Sequence, residues 1–197
     1  MTEDVLLEEQ EFQKTKRKKV AKPLLWVSMI SIVMLFAGLT SAVIVRKGDG
    51  NWLNFDLPSA FTWSTIVIAV SSISMILAIK FAKSDNSSGI KWMTIITLLL
   101  GILFIQLQFV GYDQLVENKV YFTGAEHNAS GAFLYIISAL HIAHLVGGLI
   151  ALLVVVFNAF KGSYDSKNLL GLQLCSTYWH FMGAMWIYLF FFFNLII

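Results

Sequence analysis

The sequence predicts an all-α fold, an integral membrane bundle of five transmembrane helices with the N-terminus in the cytoplasm and the C-terminus outside. Three observations carry that prediction. Hydrophobic residues fill 57% of the 197 positions and charged residues only 13%, about half the charge of a soluble domain. Five apolar runs are each long enough to cross about 30 Å of hydrocarbon, which takes roughly 20 helical residues. The Lys and Arg residues are distributed very unevenly between the two ends of those runs. The mean hydropathy of +0.73 agrees: too few polar side chains exist to cover a water-facing surface.

The chain opens with a polar cytoplasmic arm, residues 1–23, acidic in MTEDVLLEEQEF and strongly basic in KTKRKKVAK. The apolar run after Lys22 is too long for a signal-peptide core, and no small-residue cleavage site ends it. A basic run directly before a membrane span fixes topology and does not imply nucleic acid. The arm reads either as a docking segment for a partner or as a disordered tail.

Residues 24–197 form the membrane domain, with spans at about 24–45, 60–82, 92–112, 131–157 and 172–196. Their connections are short and rich in Gly, Asn, Ser and Asp, the composition of turns and loops. Short connections predict sequential antiparallel neighbours in an up-down bundle. The arm and the second and fourth connections then share one side, with eleven of the 14 Lys and Arg residues. Arg46, Lys47 and Lys119 occupy the other. The positive-inside rule sets the orientation from this bias. Trp26, Trp52, Trp92 and Trp179 fall near span ends, where interfacial aromatics sit. The lone Cys175 has no cysteine partner for a disulfide or a metal site.

Polar residues inside spans are expensive and often functional. No Asp or Glu lies well inside any of the five runs, so the carboxylate that a proton-coupled transporter uses is missing. The neutral candidates are Gln106, Gln108, His141, His144, Tyr178 and His180. The two glutamines fall on opposite sides of their helix. His141 and His144 share one face, at i and i+3. Gly147 and Gly148 follow, where small residues admit a neighbouring helix. Either the imidazoles ligate a metal or haem, or they are interhelical hydrogen-bonding groups. His144 lies roughly 20 Å from the outer end of its span and His180 roughly 12 Å from the inner end of the next. That common depth admits a bis-histidine haem, although a third strong ligand for zinc or copper is not evident. Asn128-Ala129-Ser130 matches a glycosylation triplet, a pattern short enough to arise by chance.

The segment YWHFMGAMWIYLF (178–190) resembles the final-helix signature of haem-copper oxidase subunit III, YWHFVDVVWLFLF or similar. ALHIAHLVGG (139–148) resembles the family's GFHGLHVIIG, and LQFVGY (107–112) its LQxxEY. DLPSAFTWSTIVIAVSS (56–72) is similar to LPLLNTLILLTSS, and SIVMLFAG (31–38) to SEVLFFTG. The resemblance implies the short five-helix bacterial form, multi-pass in the cytoplasmic (inner) membrane with a periplasmic C-terminus.

It further implies a non-catalytic subunit of a proton-pumping terminal oxidase, fed by cytochrome c or quinol. In that reading the chain has no cofactor of its own, and haem and copper sit in partner subunits. Its partners are oxidase subunit I, other oxidase subunits and structural phospholipid, with membership of a respiratory supercomplex left open. A nitric oxide reductase-type accessory subunit and a bis-His haem cytochrome are the alternatives. The motif residues His141, His144, Tyr178, Trp179, His180 and Trp186 then make interhelical or lipid contacts. Trp179 is expected as an interfacial anchor, Tyr178 near the inner headgroups, and Trp186 in packing. Ile32, Gly111 and Gly183 stand where the family carries acids.

Overall fold

The computed structural model describes residues 3–48, 50, 52–122, 128–166 and 168–197, with side chains from Lys19 onward. Lys167 and the side chains of Lys14, Lys16, Arg17 and Lys18, used above for orientation, lie outside the described set. Among the described residues there are five helices and no strand. They are α1 (Glu3–Gly48), α2 (Ser59–Lys83), α3 (Ser87–Glu117), α4 (Ala129–Phe160) and α5 (Leu170–Ile196). Each is long and apolar enough to cross a membrane, as the composition predicts.

α1 begins far ahead of the first expected span. Glu, Gln, Leu and Lys, which dominate the arm, are all good helix formers, so the polar arm and the apolar span form one helix. Pro23 lies inside it and removes one main-chain donor. The stretch with membrane-crossing character is Lys19–Gly48.

The helices do not all pack in chain order. α2 and α3 form the most extensive pair, and α3–α4, α4–α5 and α5–α2 contacts close a four-helix ring. α1 packs on α4 and α5, away from α2. This corrects the expectation that every sequential pair is adjacent. Met29, Ile32, Phe36, Thr40 and Val43 form one buried stripe along α1, spaced by three or four residues as a helix face requires. That stripe fits the groove between α4 and α5, and the connection after Gly48 is long enough to reach α2 around it.

Hydrogen bonds tie the ring at several levels. Ser74 and Thr97 hydroxyls meet at 2.7 Å between α2 and α3, and Tyr112 and Ser138 at 2.8 Å between α3 and α4. Asn128 accepts from the backbone N–H of Ser130 at 3.0 Å and from its hydroxyl at 2.9 Å. The Asn-Ala-Ser triplet therefore serves as the N-cap of α4. Lys47 and the Trp52 indole both donate to the Ile196 carbonyl, at 2.6 and 3.1 Å. They satisfy one of the carbonyls that a helix C-terminus leaves open. At the opposite end, Asp85 accepts from the Ser166 backbone N–H at 2.7 Å, joining the second connection to the fourth.

Candidate functional site

The histidines, Tyr178 and the tryptophans of the YWHF segment gather on α4 and α5, where both helices face the ring's interior and α1. Their periodicity decides who meets whom. On α5, Trp179, Met182, Trp186, Leu189 and Phe193 form the buried strip. Tyr178 and His180 flank it on opposite sides, two residues being about 200° apart.

Trp179 is fully buried, and its Nε1–H donates to the Ser71 hydroxyl of α2 at 3.0 Å. It is core, which corrects its expected role as an interfacial anchor. Its six-membered ring lies against Gly101 of α3, where an added Cβ would sit 2.6 Å from it. Only glycine lets the ring approach so closely. Trp26 and Trp92, by contrast, are exposed, as anchors are. Trp186 packs as expected: it is fully buried, donates to Thr65 at 2.9 Å, and meets Phe61 and Phe104 edge-on.

The two helix-four histidines share a helix face but not an environment. His141 is fully buried in the ring among Phe36, Phe104 and Trp186, with ring centroids 6.2, 6.1 and 5.3 Å away. His144 is half-buried, and its Nδ1 lies 2.7 Å from the Leu140 carbonyl one turn back. Tyr178 donates its hydroxyl to the His144 carbonyl at 3.0 Å, so its main contact is with α4. The same ring abuts Gly148, where an added Cβ would lie 3.0 Å away. Gly148 is thus the glycine that admits a neighbouring helix. Gly147 has open space on its outer side.

His180 is half-buried on the other flank of α5. It lines a groove of about 320 Å³ with Lys22, Trp26, Ile79, Gln173 and Thr177. His144 therefore lies on the Tyr178 flank of α5, with its ring against Phe36 of α1, and His180 on the opposite flank, in a groove lined by α1 and α2. The common depth predicted from the sequence is not enough, because α5 itself separates the two imidazoles. These residues do not fit a haem ligated by both. No group of three His, Cys, Asp or Glu side chains converges as a metal site among the described residues. A second, larger groove of about 780 Å³ lies at the C-terminal end of the bundle. Arg46, Trp52, Asn128, Phe133 and Ile136 line it.

Gln108 is buried and Gln106 exposed, on opposite sides of α3 as predicted. The hydroxyl partners of the core were not singled out from sequence. Ser64, Ser71 and Ser74 are all buried on one face of α2. Their spacing of seven and three was the available signal for an inward polar stripe. Of the positions where the family carries acids, Ile32 is in the core, Gly111 lies against the Phe61 ring, and Gly183 lies near Ser72 and Ile68.

Comparison with known proteins accords with this architecture. The model of the family described as cytochrome c oxidase subunit III matches residues 54–196. A probable cytochrome c oxidase subunit 3 of Nocardia farcinica is 30% identical, covering 85% of this chain and 82% of its own. The cytochrome c oxidase subunit 3 of Corynebacterium diphtheriae is 27% identical, over 80% and 79% of the two chains. A probable quinol oxidase subunit 3 of Staphylococcus saprophyticus is 23% identical, over 84% and 83%. The matched region takes in α2 to α5, the ring that holds Trp179, Trp186 and both helix-four histidines, and on that ground the chain belongs to the cytochrome c oxidase subunit III family.

Proposed function

We propose that this chain is the non-catalytic subunit III of a proton-pumping respiratory terminal oxidase, a cytochrome c oxidase. It packs against subunit I in the bacterial cytoplasmic membrane and holds structural phospholipid that sustains turnover. The observation that carries the reading is the filling of the ring. Trp179, Trp186, Phe61, Phe104 and His141 occupy the interior with essentially no exposure. A close-packed, largely aromatic interior of that kind fixes the orientation of the helices and leaves their outer faces for partners. The excess of Lys and Arg at the end bearing the arm supports a cytoplasmic N-terminus and a periplasmic C-terminus.

The two grooves support the lipid part. The one lined by His180 has Lys22 and Trp26 with apolar walls from Leu25, Ile79 and Leu174. That is the pairing of cation and apolar wall that suits a phosphate headgroup and its acyl chain. The groove near Arg46 offers the same chemistry at the opposite membrane face.

The resemblance to a named quinol oxidase subunit 3 favours a second reading, in which the complex takes electrons from quinol. Purification in mild detergent, with identification of the co-purifying chains and an optical spectrum, tests both. The proposal expects a haem-copper subunit I and an oxygen-reducing complex, oxidising reduced cytochrome c. Oxidation of quinol alone selects the second reading. Isolation of the chain without a haem-copper partner, or a Soret band in this chain purified free of subunit I that is lost in His180→Ala, overturns both.

A further inference from the structure

We infer that Gln108 of α3 and His141 of α4 together hold one buried water molecule in the interior of the ring. Among the described residues, three buried side-chain nitrogen and oxygen atoms lack a hydrogen-bond partner. They are Gln108 Oε1 and both ring nitrogens of His141. Both residues are completely buried. Buried polar groups are almost always paired with protein or ordered water, so these three atoms call for an account.

The helix register brings them to one level. Phe104, one turn before Gln108, packs on the His141 ring. Tyr112, one turn after Gln108, is bonded to Ser138, three residues before His141. Gln108 therefore sits opposite the stretch between Ser138 and His141. The circle closes through α2 and α5. Gln108 Nε2 donates to Ser64 at 2.8 Å, the adjacent Thr65 accepts from Trp186, and the Trp186 ring lies beside His141.

The chemistry selects the ligand. A neutral imidazole offers one N–H donor and one acceptor, and an amide oxygen is an acceptor only. A cation would meet no carboxylate here, and an anion would meet the amide oxygen. Water carries two donors and two acceptors. It donates to Gln108 Oε1 and pairs with one ring nitrogen of His141, accepting from the protonated nitrogen or donating to the bare one, which meets the two-partner minimum for an internal water. The inference survives reversal of the Gln108 amide, because either orientation leaves one polar atom turned away from Ser64.

X-ray radiolytic labelling of the purified full-length chain in its complex, after long equilibration in H₂¹⁸O, tests this. Hydroxyl radicals form from a bound water and label the side chains beside it. The expected result is ¹⁸O incorporation at His141, with none at Phe193, which is equally buried and has no unpaired polar neighbour. In Gln108→Leu the label at His141 is lost, and Gln108→Met serves if the leucine variant does not assemble. Absence of label at His141 in the unmodified protein overturns the inference without any variant. Label that persists undiminished in a folded Gln108 variant overturns it as well.

Discussion

Gly101 and Trp179 form a size-matched pair, and a mutant cycle measures it. In Gly101→Ala the new methyl meets the Trp179 ring at 2.6 Å and the Leu149 side chain at 2.8 Å. Carbon atoms prefer about 3.5 to 4.0 Å, so something must retreat by about 1 Å. The leucine end can swing aside. The indole cannot do so freely, because its Nε1–H is fixed to Ser71. Overpacking of a tight core costs about 1–3 kcal/mol, and about 2 is expected here. Trp179→Phe gives up the Ser71 bond, worth about 0.6 kcal/mol between membrane helices. It also leaves a small void, for about 1–2 kcal/mol in all.

Phenylalanine lacks the ring atoms that reach Gly101, so the double variant gains back most of the alanine penalty. The expected coupling is about 1–2 kcal/mol, within the range for residues in direct contact. Thermal or denaturant unfolding of the detergent-solubilised complex reads it. Each kcal/mol corresponds to about 2–4 °C in a protein of this size. Simple addition of the two single effects would refute the size-matching account.

Three further outcomes follow. Lys47→Met removes a charged donor from the α5 C-terminus, costing about 0.3–1 kcal/mol, and hydrogen exchange of the last α5 turn rises while α2 is unaffected. Gly183→Ala is tolerated within about 0.5 kcal/mol, since its Cβ meets nothing nearer than 3.4 Å, whereas Gly111→Ala strikes the Phe61 ring and lowers the melting temperature. Burial raises the pKa of Tyr164 in the connection between α4 and α5. The folded chain holds that phenol proton more tightly, so the stabilisation is whole below about pH 10. It is lost as pH rises through the raised value. Tyr164→Phe flattens that alkaline decline, measured as melting temperature against pH.

The positions of the membrane helices were legible because hydrocarbon imposes a length and a composition that any linear reading detects. The histidine pair, the glycines beside it and the YWHF segment were legible as local patterns, and they led to the right family. Partnership was not. Nothing in the order of residues indicates that α1 skips α2, because a turn records how far the chain can travel and leaves open which groove its stripe fills. Trp179 looked like an anchor because it lies near a span end. Its rotation about the α5 axis, and the space left by Gly101 on another helix, make it core.

The same distinction governs His144 and His180. The sequence by itself determined their depth, since rise per residue is fixed, and it determined the all-helical membrane class. Their direction depends on how α5 is turned against α2 and α4, and that rotation is set by the mutual packing of side chains far apart in the chain. Tertiary structure alone therefore separated the two imidazoles and buried His141 without a protein partner opposite Gln108.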